Sequence, residues 1–342
     1  MQELTLHIDN HETEIVIGHG LFDRLEAYSG KRLIFLVDLN VYELHRSAFN
    51  NRKCIVVPPG EKQKTLDFAE NVMRQMVRME ADRTTFLVGV GGGLVSDLAG
   101  FVASVYMRGI SFGFISSTLL GQVDASIGGK NGVNLDGFKN MIGIIRQPEF
   151  VWCDLQLLDS LDQKEMISGY AEVIKYGAIY DRGLFEILEQ KQKNILDRDP
   201  AILEEIVTRS VAIKRNIVEN DVTEQGERKL LNFGHTLGHA VEKLTGMLHG
   251  YAVGTGMVLE ARLSVNMGLL DQKEADRLEK LIASAGLPVK ADPGMNSIYD
   301  ALLKDKKRAG DQIYFVLLEK LGKAVIHRLD LSILKKSMDD LH

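Results

Sequence analysis

The chain has 342 residues, 45% of them hydrophobic and 26% charged, enough for two domains with separate cores and ordinary for a globular protein. A formal net charge of −6 argues against general nucleic-acid affinity, which needs a basic face, but leaves room for a local cationic pocket. No uncharged apolar run reaches the ~18 residues of a transmembrane helix, and the opening MQELTLHIDNHETEIVIG has neither the basic start nor the apolar stretch of a signal peptide.

In chain order, β-rich runs at 3–7, 14–17, 33–38, 54–58, 85–90, 111–116 and 150–154 alternate with helical patterns at 66–79 and 94–107. Such alternation predicts a mostly parallel sheet wrapped by helices. The two strands around HIDNHE predict an antiparallel hairpin at its edge. Beyond about residue 157 the segments 163–180, 184–191, 201–220, 230–244, 250–267 and 271–285 read as helices, rich in Ala, Leu, Glu and Lys and almost without proline. A hairpin over 312–318 and 324–329 flanks a Lys-Leu-Gly-Lys turn. The expected layout is an α/β domain over 1–156 and a mainly helical domain over 157–342, with a cleft between them as the natural ligand site. Cys54 and Cys153 lie in apolar runs and read as reduced thiols of a cytoplasmic protein.

Six stretches carry chemistry. TTFLVGVGGGLVSDLAG runs from apolar strand through Gly91, Gly92 and Gly93 into a helix, a turn that lets backbone amides approach a pyrophosphate. It is not GxGxxG, since Ser96 stands where the last glycine would fall. Asp38 closes the strand RLIFLVD and suits ribose hydroxyls, although a strand-end Asp is as often a cap. PPGEKQK, over 58–64, reads as a solvated turn unless it lies beside the glycines. SSTLLGQVDASIGGKNGVNLDGFKN reads as a long polar, glycine-rich connection whose Lys130 and Lys139 suit an anion. In GYAEVIKYG, Glu172 and Lys175 stand one helical turn apart, the spacing of an ion pair.

LNFGHTLGHAVEKLTGMLHG holds three of the nine histidines. His235 and His239, four apart, share a helix face, and His249 follows a turn. The clustering points to a metal site of the open kind, with His235 and His239 as its first pair. Arg228 and Asn232, also four apart, approach that face.

Taken together, GGGLVSDLAGF, STLLGQVDASIGGKNGVN, GFKNMIG, SGYAEVIKYG, NFGHTLGHAVE, HGYAVGTGM and LLKDKKRAGD resemble the 3-dehydroquinate synthase family, in order from about residue 58 to 310. The resemblance implies a cytoplasmic, homodimeric lyase that uses NAD and zinc, with cobalt suiting the same ligands. It implies metal ligands Glu172, His235 and His249, which moves His239 to the substrate. It implies NAD contacts at Asp38, Gly60, Glu61, Lys62, Gln63, Lys64, Gly92, Gly93, Asp97, Ser117, Thr118, Lys130, Lys139 and Ser160. The substrate pocket falls on Asp124, Lys130, Asn140, Lys175, Lys214, Glu224, Arg228, Asn232, His239 and a lysine of Lys306-Lys307. Arg108 corresponds to an arginine that reaches a neighbouring subunit's site. Ser96, Ser116-Ser117 and Pro59 depart from the family's usual residues, all on the NAD side.

The implied reaction turns 3-deoxy-D-arabino-heptulosonate 7-phosphate into 3-dehydroquinate and phosphate, by transient oxidation, elimination, reduction and aldol closure. The rivals are a cyclase making an inosose or valiolone ring, a metal-dependent alcohol dehydrogenase, and an inactive NAD- or metal-binding homologue.

Overall fold

The computed structural model describes residues 1–136, 138–290, 294–303, 308–309, 312–331 and 334–336. The chain divides into two compact units, Met1–Met166 with Leu203–Glu219, and Ile167–Ile202 with Asn220–His342. The sequence places the boundary after residue 156; compactness puts it later and returns Leu203–Glu219 to the first unit.

Among the described residues the first unit has nine strands: β1 (Gln2–Ile8), β2 (His11–Gly18), β3 (Leu33–Asp38), β4 (Lys53–Val57), β5 (Phe86–Gly91), β6 (Ser111–Ser116), β7 (Lys130–Leu135), β8 (Phe138–Ile145) and β9 (Phe150–Asp154). Seven form one sheet in the order β1-β2-β9-β6-β5-β3-β4. Every pairing is parallel except β1 with β2, the predicted edge hairpin. FLVGVG and FVWCD are buried at every position, as unbroken apolar runs must be when both faces of a parallel sheet are covered. One face carries an aromatic stack in which the Phe150 and Trp152 ring centroids lie 3.9 Å apart, with Phe86 and Tyr28 against them. Helices α1 (Leu39–Leu44), α2 (Leu66–Arg78) and α3 (Gly93–Val105) connect the strands.

β7 and β8 pair antiparallel as a separate two-stranded sheet. The sequence reading of 116–140 as irregular connection is therefore corrected from Lys130 onward. KNGVNL is too polar and glycine-rich to display a strand period, yet the Asn131 amide donates to the Gly129 and Arg146 carbonyls at 2.8 and 2.9 Å and ties the pair at its base.

The remaining helices are α4 (Gln163–Ile179), α5 (Arg182–Leu196), α6 (Pro200–Asn220), α7 (His235–Thr245), α8 (His249–Asn266), α9 (Gln272–Ser284) and α10 (Met295–Leu303). They are followed by β10 (Arg308–Ala309), β11 (Gln312–Lys320) and β12 (Lys323–Asp330), which form a three-stranded sheet. The core of the second unit joins Leu237, Val241, Leu259 and Leu263 to Phe315 and Leu317. α10 had no counterpart in the sequence reading. The expected single helix over 230–244 is broken: Glu227–Asn232 is a 3-10 turn, and Gly234, at φ 77, starts α7 anew. Instead of a local cap, the buried Glu260 carboxylate of α8 accepts from the Gly234 and Leu237 amides at 2.7 and 3.3 Å. It thereby satisfies amide groups that a helix start leaves open.

α7 and α8 approach through glycine. A Cβ on Gly256 would lie 1.9 Å from the Gly234 carbonyl oxygen and 2.7 Å from the Gly238 nitrogen. Helix propensity favours alanine over glycine by about 1 kcal/mol, but overpacking against backbone costs ~1–3 kcal/mol or more. Gly256→Ala should therefore lower the urea midpoint; a raised midpoint would show that the two helices can part without cost.

Candidate active site

Two constellations form, one in each unit. In the second unit Glu172, on α4, is fully buried, and Lys175, one turn on, is 1% exposed. The alternative of a surface ion pair is thus removed. Lys175 Nζ contacts Glu172 Oε2. The other oxygen, Oε1, faces His235 Nε2 at 3.4 Å and His249 Nε2 at 3.5 Å. His235 is the first residue of α7 and His249 the first of α8, so both rings enter from helix starts. His235 Nδ1 lies 3.1 Å from the Phe233 carbonyl oxygen, an acceptor that calls for a proton on Nδ1 and turns Nε2 toward Glu172, where it could offer its lone pair to a cation.

One carboxylate and two imidazoles, with donor atoms all within 4.8 Å of one another, are a donor set of the His-His-Glu kind that could hold a metal ion. A fully buried carboxylate is costly unless cations face it, and this one meets an ammonium and two imidazoles. Desolvation alone would lower the His249 pKa, but Glu172 and Glu242 outweigh it and raise it to about 9. Without a metal, His249 therefore adds positive charge beside Glu172 to that of the Lys175 ammonium.

The first pairing inferred from spacing, His235 with His239, is corrected. The His239 ring centroid is 5.3 Å from that of His235 and 5.8 Å from that of His249. His239 thus shares the pocket but falls outside the Glu172 group, clustering with Glu242 and His249 instead. The shared face inferred for Arg228 and Asn232 is also corrected, because the break at Gly234 separates their 3-10 turn from α7. Arg228 is 3% exposed, its Nη1 donating to the Val222 carbonyl at 2.6 Å. Asn232 Nδ2 donates to Glu224 Oε1 at 2.5 Å. Lys306 and Lys307 lie outside the described residues.

In the first unit the chain turns from β3 to β4 on one side and then resumes with β5 on the other. This reversal between β3 and β5 is where open α/β sheets bind ligands, at the carboxyl ends of the strands. Asp38 ends β3 and Gly91 ends β5, and a Cβ on Gly91 would lie 3.3 Å from the Asp38 Cβ. α3 starts at Gly92 without a side-chain cap, leaving its first amides to an anion. Asp38 also caps α1 through the Asn40 amide at 2.9 Å. Ser96, in place of the final glycine, turns its hydroxyl back to the Gly93 carbonyl at 3.1 Å.

The segment 60–64 is drawn to this region. Lys64, 4% exposed, pairs with Asp97 and donates to Asn140 Oδ1 at 2.5 Å, and Glu61 accepts from Asn134 Nδ2 at 2.9 Å. The solvated-turn reading of 58–64 is corrected for Lys64, while Gly60, Glu61 and Lys62 are exposed and Gln63 half-buried. Thr118 Oγ1 accepts from the Gly121 amide at 3.0 Å, and the Ser117 amide donates to the Gly91 carbonyl at 2.9 Å. Lys214 of α6 donates to Asp124 Oδ1 at 2.7 Å, a contact between positions 90 apart. Lys130, Lys139 and Arg108 are exposed. Ser160 is also exposed; its hydroxyl meets His45 Nε2 at 2.9 Å.

Burial pushes the Asp97 carboxyl up to about 6, against the pull of the Lys64 ammonium. The folded protein thus holds this proton more tightly than the unfolded chain, in which an aspartate titrates near 4. Ionisation costs stability increasingly as pH climbs from about 4 to about 6, and the cost is constant above that window. Asp97→Asn removes the titration. Its stability relative to the native protein should rise by on the order of 2 kcal/mol between roughly pH 4.5 and 7.5. Urea unfolding at the two values measures this, and a pH-independent difference would contradict it.

Sequence reasoning passed over Glu242. Its signal is present, since His235, His239 and Glu242 stand at i, i+4 and i+7 of one helix face.

Comparison with known proteins covers both units. The family model of the 3-dehydroquinate synthase N-terminal domain matches residues 54–168 and that of the C-terminal domain residues 169–308. A 3-dehydroquinate synthase of Thermodesulfovibrio yellowstonii is 39% identical, with 96% of each chain covered. One of Thermoanaerobacter pseudethanolicus is 39% identical over 95% of this chain and 96% of its own. Among solved structures, a 2-deoxy-scyllo-inosose synthase complexed with carbaglucose-6-phosphate, NAD+ and Co2+ superposes with a TM-score of 0.88 at 24% identity, covering 99% of this chain and 100% of that one. A 2-epi-5-epi-valiolone synthase from Streptomyces hygroscopicus subsp. jinggangensis 5008, with NAD+ and Zn2+ bound, gives 0.88 at 24% identity over 98% of each. At that identity these structures speak for the fold.

Proposed function

The chain belongs to the 3-dehydroquinate synthase family, and we propose from this that it converts 3-deoxy-D-arabino-heptulosonate 7-phosphate to 3-dehydroquinate and phosphate in the cytoplasm. The observation that carries the reading to the level of residues is the convergence of Glu172, His235 and His249 from three helices onto one point, together with the crevice at Asp38 and Gly92. The cysteines are both thiols, which fits a reducing compartment.

Glu172, His235 and His249 would hold zinc or cobalt, which polarises a substrate hydroxyl and lowers its pKa. The α3 amides at Gly92 and Gly93, with Asp38, Lys64 and Asp97, would hold NAD, which supplies reversible oxidation at the substrate's C5. The other work falls to the chain's own side chains. Lys175 occupies Glu172 Oε2 and so fixes which oxygen the histidines share. Arg228, with Lys130 and a late lysine, supplies cationic donors for phosphate and carboxylate. Asn232 and His239 orient hydroxyls, and His239 relays a proton between them. Asp124 holds Lys214 as a charged donor. Much of the acceleration then comes from positioning and preorganised charge.

The rival cyclases are separated by substrate. Purified protein with NAD and zinc should release phosphate from the heptulosonate phosphate and not from glucose 6-phosphate, with NMR of the product showing the dehydroquinate ring. Turnover of glucose 6-phosphate in preference would transfer the protein to the inosose-forming class.

A homodimer fits the surface. Phe138, Met141, Ile144 and Ile145 of β8 are all more than two-fifths exposed, on a strand that among the described residues pairs only with β7. Apolar strands open in this way are covered in native proteins, and the exposed Arg108 follows α3, which also touches β8. Sedimentation should give a dimer that Ile144→Asp weakens at least tenfold; a monomeric native protein at micromolar concentration would overturn this.

A further inference from the structure

The two histidines facing Glu172 differ in how their second nitrogen is held. His235 Nδ1 meets a backbone carbonyl, that of Phe233. His249 Nδ1 lies 3.3 Å from Glu242 Oε2, a carboxylate seven residues away on the preceding helix. A neutral imidazole has one N–H and one lone pair, so the group accepting the N–H decides which nitrogen is left to bind a metal. A histidine ligand commonly donates its other N–H to a carboxylate or carbonyl, and removing that partner weakens metal binding about 10–100-fold.

We propose that Glu242 is the positioning residue of His249: it accepts the Nδ1 proton, holds the ring so that Nε2 points at the Glu172 oxygen, and raises the ring's affinity for a divalent cation. The proposal rests on Glu172, His235 and His249 being the metal ligands. One competing role is visible. His239, Glu242 and His249 also bring donor atoms within 4.8 Å of one another, as a second ion site would require. Filling both groups would make His249 donate through both nitrogens, and that needs an imidazolate, a species far from neutral pH for an ordinary histidine. A carboxylate accepting Nδ1–H needs no such species. Glu242 is reachable by substitution, with its side chain 14% exposed, and the core of the second unit does not include it.

The test is zinc titration of the metal-stripped full chain against a chromophoric chelator, for the native protein, Glu242→Ala and Glu242→Gln, with thermal unfolding of each metal-free form. The native protein should bind one zinc per chain. Glu242→Ala should bind it about 10–100-fold more weakly. Glu242→Gln, whose carbonyl oxygen still accepts the Nδ1 proton, should fall between them, and the metal-free forms should melt within a few degrees of one another. Glu242→Gln is nearly isosteric and carries the test if the alanine variant does not fold. Equal affinity in all three proteins would overturn the role of Glu242 and leave the zinc ligands standing. Two zinc ions per native chain, one of them lost in Glu242→Ala, would also overturn it, by making Glu242 a ligand. A native chain that binds no zinc would overturn the ligand assignment and this inference with it.

Discussion

His249→Ala should lose tightly bound zinc and turnover together. His249 is one of three side chains whose donor atoms meet, and it is the most accessible of them, with its side chain 27% exposed. Truncation therefore removes a ligand without opening a core cavity. Lewis-acid polarisation is worth several kcal/mol, so kcat should fall about a thousandfold or more. Glu172→Ala should remove zinc as well, but with a second consequence. Lys175, 1% exposed, would lose its contact with the Glu172 carboxylate, and breaking a buried ion pair costs ~3–5 kcal/mol. The two variants should thus agree in zinc content and differ in melting temperature. Full activity of a zinc-free His249→Ala protein would sink the metal assignment.

Arg228→Ala is the second large effect. The guanidinium is buried and steered by the Val222 carbonyl, and the Arg228 amide is fixed to Asp221 Oδ2 at 3.1 Å, so both backbone and side chain are held in place. A hydrogen bond to a charged group contributes ~1.5–3 kcal/mol, and kcat/KM should fall on the order of 10–100-fold with zinc content and NAD affinity unchanged. Arg228→Lys should recover little, because a lysine presents a point charge in place of a planar fork. An unchanged kcat/KM for Arg228→Ala would remove this residue from the pocket.

The legibility of the chain followed the strength of local signals. Strands such as LIFLVD and FVWCD were readable to the residue because continuous burial demands continuous apolarity. β7 and β8 were not. Their residues are held by backbone pairing and by the Asn131 amide, and β8 is exposed along its length, so no inward-outward alternation was imposed on the sequence. The helix expected over 230–244 was half right. The apolar period continues through Phe233, but Gly234 adopts a left-handed conformation and Glu260, a residue 26 positions away, supplies the cap. That partner is invisible to any local pattern. The same holds for Lys214, whose attachment to Asp124 in the first unit follows from a packing of α6 that no spacing announces.

The histidine segment shows how far spacing carries. It anticipated that the three histidine rings would lie close together, because i, i+4 residues share a face. It could not complete the group, because the Glu172 carboxylate that His235 and His249 both face comes from α4. The family resemblance supplied Glu172, and the geometry of Oε1 between two Nε2 atoms gives that choice a physical reason.

The most direct measurement follows phosphate release from the heptulosonate phosphate alongside absorbance of NADH, with and without a chelator, in the NAD-loaded full chain. Phosphate and dehydroquinate in equal amounts, no accumulation of NADH, and loss of both products on chelation with recovery on adding zinc or cobalt are the predicted result. NADH accumulating in step with substrate loss, or phosphate release that continues in protein verified to be metal-free, would contradict it.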